Sequence, residues 1–375
     1  MKTSLAALGM MMAGLAAASP RTPARDAEVL AELPQGLRHA EPSRALAADR
    51  IDVAVPLARA YVARARATGD LRFLGYAEAA LEPWMRSSAP PPAVLVLHAG
   101  ILQSRHAFEA SLAELDRALA ARPEDAQAWL TRATVLRVLG RYEAALASCR
   151  HLEGNAEPGV ARLCEQGILG LTGHLREAYL AILQIPAEAL GAEVAAWRCS
   201  ELGEMAERLG DDTAAEGHFR SGLALAPRDF YTRLAYADLL LRHGRAAETL
   251  TLLEDYQTME PMLLRIALAH RQLRDAAGGR AEALLAGAFE VEERRGDAVH
   301  RREEARFLLD VRNDSRGALQ AAAANWQVQR EPDDALILAR AARAAGQPDA
   351  AKPMQDFLRM NGFQDARLPA PGDAS

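Results

Sequence analysis

Apolar residues recur at helical spacing along almost the whole chain, and the recurrence has a longer period of its own. In AQAWLTRATVLRVLGRYEAALASCRHLEGNAEP (126–158), Trp129, Ala133 and Leu136 fall on one face of a first helix. Gly140-Arg141-Tyr142 makes a turn. Ala145, Cys149 and Leu152 then mark the apolar face of a second helix, and Pro158 closes the unit. Upstream, Leu95, Ala99 and Leu102 form such a first face, and Phe108, Ser111, Leu115 and Ala118 the second, closed by Pro123. Downstream, one unit spans Val160 to Leu190, with Ala178 at the crowded helix crossing. The next spans Val194 to Pro227, with Ala215 and Phe219, and another Tyr231 to about Tyr256, with Ala237 and Leu240. The turn positions His106, Gly140, Gly173, Gly210 and Gly244 are 34, 33, 37 and 34 residues apart. Small residues recur where two helices approach closely. Gly recurs where the chain leaves a helix through left-handed backbone.

A looser unit begins at Ile51, with Leu57, Tyr61 and Ala65, a turn at Gly69-Asp70, then Leu74, Ala77 and Leu81 before Pro83-Trp84. After Tyr256 the pattern weakens. Helices are predicted over 262–273, 280–295, 300–310 and 316–330, with a last pair over 334–357 turning at Gly346-Gln347-Pro348. These read as two further repeats, the final one a cap, in an array of about seven. The fold class that follows is all-α: a right-handed superhelical solenoid of antiparallel helix pairs.

Composition sharpens this picture. Half the residues are apolar and only 5% aromatic, which suits closely packed helices. The net charge of -6 is spread without a basic block, which disfavours nucleic acid as a partner. Lys occurs only at Lys2 and Lys352. Ser4 to Ala18 is an uncharged apolar run behind Lys2, ending in small residues, and reads as a secretory signal peptide. The alternatives are a membrane anchor or a plain helix, but the run is shorter than the roughly 20 residues a span needs. Export predicts a periplasmic or extracellular protein with no membrane span after signal removal. The chain then divides into a signal peptide (1–18), an N-terminal arm (19–50), the array (51–275), degenerate C-terminal repeats with a cap (276–365) and a disordered tail (366–375).

Export also changes how Cys149, Cys164 and Cys199 read. Cys149 lies on the second helix of one unit and Cys164 on the first helix of the next, so a Cys149–Cys164 disulfide is geometrically reasonable in an oxidising compartment. The alternative is three small buried residues. Their spacing does not suit zinc, and no metal or other cofactor is expected.

The order Trp, small residue, Gly-x-Tyr, Ala, Pro across about 34 residues resembles the tetratricopeptide repeat. The mature chain as a whole resembles a group of exported bacterial tetratricopeptide proteins without an assigned activity. The segments that carry this are DAEVLAELP (26–34), GDLRFLGYAEAALEPW (69–84), LDRALAARPEDAQAWLTRATVLRVLGRY (115–142), RGDAVHRREEARFLLD (295–310) and NWQVQREPDD (325–334). The resemblance implies a helical solenoid with a non-catalytic scaffold or adaptor role. The Lys/Asn carboxylate clamp of tetratricopeptide cochaperones is absent.

Arrays of this kind bind along the concave face lined by first helices. Counted from the turns, that face should hold Gln103, Gln127, Thr134, Arg137, Trp197, Glu204, Arg208, Tyr231, Asp238 and Arg242. This polar mixture suits a protein or peptide segment. His300 and Glu304, with Glu303 between them, have the spacing of a metal pair, but no second His completes a zinc motif. An ion-paired helix face with Arg301 and Arg306 is the favoured reading. In NWQVQREPDD, Trp326 reads as core; Asn325, Gln329 and Glu331 either join the last repeats or line a pocket. Asp211-Asp212 reads as a helix start. The leading expectation is an exported scaffold or adaptor, not an enzyme. The alternatives are a structural subunit of an envelope complex, or an enzyme with a cryptic site within 295–334.

Overall fold

The computed structural model describes residues 49–68, 70–257, 259–295 and 300–368. The expected signal peptide, nearly all of the N-terminal arm and the Gly69 turn lie outside these residues.

Among the described residues the chain forms eighteen α-helices and no strands, arranged as nine antiparallel hairpins. The first three are α1 (Ile51–Thr68) with α2 (Arg72–Met85), α3 (Pro92–Ser104) with α4 (Phe108–Ala121), and α5 (Ala126–Val138) with α6 (Tyr142–Arg150). The middle three are α7 (Val160–Leu169) with α8 (Leu175–Leu183), α9 (Ala192–Leu209) with α10 (Asp212–Leu225), and α11 (Phe230–Arg242) with α12 (Ala246–Leu252). The last three are α13 (Glu260–Leu273) with α14 (Gly278–Arg295), α15 (Arg301–Asp310) with α16 (Ser315–Trp326), and α17 (Pro332–Ala344) with α18 (Lys352–Met360). The weak pattern after Tyr256 therefore conceals three hairpins, not two.

Seven described hairpin turns close through the device that the repeat spacing predicts. His106, Gly140, Gly173, Gly210, Gly244, Asn313 and Gly346 all have positive φ. The hairpin that escaped the count turns at Arg274, also at positive φ, where no Gly advertises the turn. Aspartates start helices both between and within hairpins: the side chains of Asp125, Asp211 and Asp229 accept the backbone N–H of Ala128, Ala214 and Thr232. The crossing positions are fully buried small residues, among them Ala58, Ala77, Ala99, Ala145, Ala178 and Ala215. At Gly203 the approach is closest, since an added Cβ would fall 2.3 Å from the Phe219 ring.

Successive first helices touch one another from α1 through α17 and build a continuous inner layer. Cys149 on α6 and Cys164 on α7 are joined by a disulfide, with Cα atoms 5.6 Å apart, and Cys199 is buried as a free thiol. The bridge closes a loop of 15 residues between adjacent hairpins. Replacing the pair with Cys149→Ala/Cys164→Ala is expected to cost about 3 kcal/mol, as for any cross-link over a loop of this size. Urea unfolding of the wild type with and without reductant, and of the double variant, measures that loss.

Candidate functional site

The inner layer is charged, and the sequence places the charges by helical register. Glu201, Glu204 and Arg208 lie three and four residues apart on α9, so they share a face. Arg137 occupies the last turn of α5. Asp238 and Arg242 project from α11, Arg265 from α13, and Arg302, Glu303 and Arg306 from α15. Glu331 caps α17, and Asp334 completes a capping box with it.

These side chains meet because the array closes on itself. Residues 325–367 return to the turn edge and inner face of the second to fifth hairpins. The backbone N–H of Arg330 donates to the Val138 carbonyl at 2.8 Å, and that of Ala366 to the Arg208 carbonyl at 2.8 Å. Gln329 Nε2 lies 3.0 Å from His106 Nδ1. Phe357 packs between Tyr142 and Trp326, at ring separations of 5.9 and 5.7 Å.

Inside this closure the guanidiniums and carboxylates form a network. Arg137 donates to Glu201 at 2.7 Å and approaches Glu331 at 3.5 Å and Glu204 at 3.9 Å. Trp197 Nε1 donates to the same Glu201 oxygen at 3.2 Å. Asp238 accepts from Arg265 at 2.6 Å and from Arg306 at 2.9 Å. Glu207 accepts from Arg242 and lies 3.4 Å from Arg367, which also reaches Asp333 at 3.3 Å. Arg302 Nε stands 3.3 Å from the buried Asp334, which accepts from Asn325 at 2.8 Å.

Two chambers border this network. The inner one, about 260 Å³, is lined by Glu204, Arg208, Tyr231, Arg302, Gln329 and Glu331, among others. The outer one, about 540 Å³, lies among α11, α13, α15 and α17. Asp238, Arg242, Asp333 and Arg367 border both.

Burial and neighbouring charge set the proton affinities. Burial, reinforced by the Glu201 carboxylate, pushes Glu204 up to about 8. Burial takes Glu207 up to about 7 against the pull of Arg242 and Arg367. Asp334 rises to about 6, again through burial. For Asp238 burial acts in the same direction, but Arg265 and Arg306 outweigh it and hold the carboxyl well below its usual value. Burial lowers His106 to about 4, so its imidazole is neutral.

The structure divides the residues expected on the concave face. Glu204, Arg208, Tyr231, Asp238 and Arg242 line the inner chamber, and Arg137 and Trp197 join its ion network. Tyr231 keeps about half its surface open although it sits deep in the concavity. Gln103, Gln127 and Thr134 line neither chamber; Gln127 and Thr134 bond within their own helix, to Thr131 and Leu130. The central groove is therefore filled by the chain's own return rather than open along its length. His300 lies 3.2 Å from Glu260, and Glu303 3.5 Å from Arg265, as members of the ion network. Asn325, Gln329 and Glu331 do both things expected of them as alternatives: they tie the last hairpins together, and the latter two line the inner chamber. Arg367 falls inside the expected disordered tail, yet it is held by Asp365 at 2.8 Å. Glu201, Glu207, Arg265 and Arg302 escape a reading based on turn spacing; acidic residues beside Leu202, Met205 and Ala206 on α9 are the one local sign of them.

Arg137→Ala should cost about 3–5 kcal/mol, because it strands buried carboxylates; chemical unfolding measures this. Glu204, Glu207 and Asp334 have raised values, so the folded chain keeps protons that the unfolded chain has released. Their contribution is fullest below their ordinary values of 4.5, 4.5 and 3.8 and is lost as pH rises through about 6 to 8. Asp238 has the opposite sign, and its contribution is lost as pH falls below 3.8. Tm should therefore fall between about pH 5 and 9, and Glu204→Gln should flatten that slope. Melting curves across the range test both statements.

No protein-family model matches the chain, and no curated protein matches it in sequence. Solved structures do resemble it. The Thermus thermophilus tetratricopeptide protein TTC0263 is 22% identical, covers 46% of this chain and 94% of its own, and has a TM-score of 0.38. Pseudomonas aeruginosa PilF is 17% identical, with 53% and 92% covered and a TM-score of 0.40. A tetratricopeptide repeat protein from Parabacteroides merdae ATCC 43184 is 15% identical, with 82% and 99% covered and a TM-score of 0.37. Stacked antiparallel helix pairs, left-handed turn residues at the repeat spacing and an inner layer of first helices make this chain a tetratricopeptide-type solenoid.

Proposed function

We propose that the chain is an exported, non-catalytic scaffold or adaptor that binds a protein or peptide segment on its inner face. The outer chamber carries this reading. Arg242, Arg271, Arg306, Arg340 and Arg367 stand around it with Asp238, Asp310 and Asp333, over a floor that includes Leu241, Leu268, Leu336 and Ile337. Planar guanidiniums beside aliphatic surface suit a peptide segment bearing carboxylates and apolar side chains. Arg271 and Arg340 are the most open of these cations, with side chains 39% and 53% exposed. Export is supported by the leader-like Ser4–Ala18 run and by a disulfide of the kind that persists in oxidising compartments.

A second reading, a structural subunit of an envelope complex, is favoured by Leu180, Leu225 and Leu284, which stay about half exposed on second helices. Native mass measurement on the envelope fraction separates a free monomer from an assembled subunit.

Cross-linked pull-down from the cell envelope tests the leading reading. Arg271→Glu/Arg340→Glu should reduce partner recovery by about tenfold or more, because reversed charge at a rim opposes a complementary partner. Unchanged recovery would remove the chamber from the function. N-terminal sequencing of the mature protein should begin at Ser19; an intact Met1 would contradict export by cleavage.

A further inference from the structure

After the last helix, residues 361–368 run as a left-handed turn at Gly362, an open stretch over 363–365 and a second turn over 365–368, against the turns of two hairpins. Phe357, Gly362 and Ala366 stand in succession on Gly140, Gly173 and Gly210. A Cβ added at Gly140 would come within 2.6 Å of the Phe357 ring. One added at Gly173 would lie 3.5 Å from the Gly362 carbonyl oxygen, and one at Gly210 would lie 3.4 Å from Ala366 Cβ. Left-handed backbone already favours Gly at these turns. Spaced one repeat apart, the three glycines form a track that Phe357 of α18 and then residues 361–368 cover in turn.

The segment lies on that track as a bound peptide would. Phe363, Asp365 and Arg367 are half-buried, while Gly362, Gln364 and Ala366 are exposed. The Leu368 N–H donates to the Asp365 carbonyl at 3.2 Å, so a turn presents Asp365 and Arg367 inward. Phe363 stacks with the Arg208 guanidinium at 5.7 Å. Arg367 reaches Glu207 at 3.4 Å, and Asp365 holds Arg367 in place at 2.8 Å. The Ala366 N–H is taken by the Arg208 carbonyl, in the last turn of α9, where carbonyls lack partners within the helix.

These fittings select chemistry. Arg208 is a buried cation whose Nη1 donates to the Gly170 carbonyl at 2.8 Å, and a π face above it is a favourable neighbour. Glu207 is a buried carboxyl between Arg242 and Arg367, so an Arg is a favourable neighbour there.

We propose that this strip docks a peptide of a partner protein that takes the same turn and bears an aromatic residue and, four positions later, an Arg. Residues 361–368 are its resident occupant and must leave first. The proposal rests on the reading of the chain as a binding scaffold. It adds a second surface, which meets the outer chamber at Arg367 but does not include Arg271 or Arg340, together with a built-in competitor.

The test uses the full chain, as wild type and as Phe363→Ala/Arg367→Glu, titrated with a dye-labelled octapeptide NGFQDARL and followed by fluorescence anisotropy. The variant should bind the peptide about tenfold or more tightly than the wild type, because an occupied strip lowers apparent affinity by the fraction that is open. A peptide with Glu in place of its Arg should bind neither protein. Equal binding to both proteins, or no binding to a variant that melts as a folded protein, overturns the proposal. Hydrogen exchange on the wild type gives a measurement free of mutation. The Ala366 amide should exchange about 100-fold or more faster than the Met205 amide inside α9, as a locally opening segment does; equal protection overturns exchangeability. Loss of peptide binding with partner capture still sensitive to Arg271→Glu/Arg340→Glu would sink the strip and leave the scaffold reading intact. Insensitive capture with strong peptide binding would do the reverse.

Discussion

Arg137 places a positive charge inside the protein, and carboxylates from two other parts of the chain neutralise it. Glu201 is 64 residues away and Glu331 is 194 residues away. Removing these ions from water costs several kcal/mol each, and only well-placed partners offset that cost. The inner face therefore works as a closure. Opening the array would take Glu331 from Arg137 and Arg367 from Glu207, while Asp238 and Asp334 keep partners on neighbouring hairpins. The aromatic contact of Phe357 with Tyr142 and Trp326 and the backbone bond from Arg330 to Val138 hold the same closure from the turn edge.

Closure changes what kind of binding surface the solenoid offers. An open array would present its first helices along the whole concavity. Here the third to fifth hairpins are covered by the returning chain, and space remains among the sixth to ninth. That space is walled by fixed guanidinium–carboxylate pairs. Walls of this kind discriminate by charge pattern and orientation more than by apolar area. The raised carboxyls of Glu204 and Glu207 share a cause with the lowered imidazole of His106, since burial penalises whichever form is charged.

Much of the framework was legible because it is local. A left-handed residue must end each first helix, and Gly fills that role most readily, so glycines mark the repeat. His106 and Asn313 fit the spacing without being Gly. Arg274 could not be found in the same way, because its neighbouring turns lie 30 and 39 residues off and carry no shared signature. That single gap explains why the last hairpins read as two rather than three. Ion pairing resisted a sequence reading for a different reason. Arg137, Glu204, Arg208, Asp238 and Arg242 join the inner ion network or line its chamber, but counting from the turns carries no information about what faces them.

The sequence alone determined the helices, their pairing into hairpins up to Tyr256 and the turn residues other than Arg274. All of these follow from spacings shorter than one repeat. Tertiary structure decided that the array closes and that Arg367 is held at its seam. It also decided that the glycines of three turns become a track for the C-terminal segment. The reason is geometric: a small rotation from each hairpin to the next accumulates over nine units, and only the sum brings residue 366 back to residue 208.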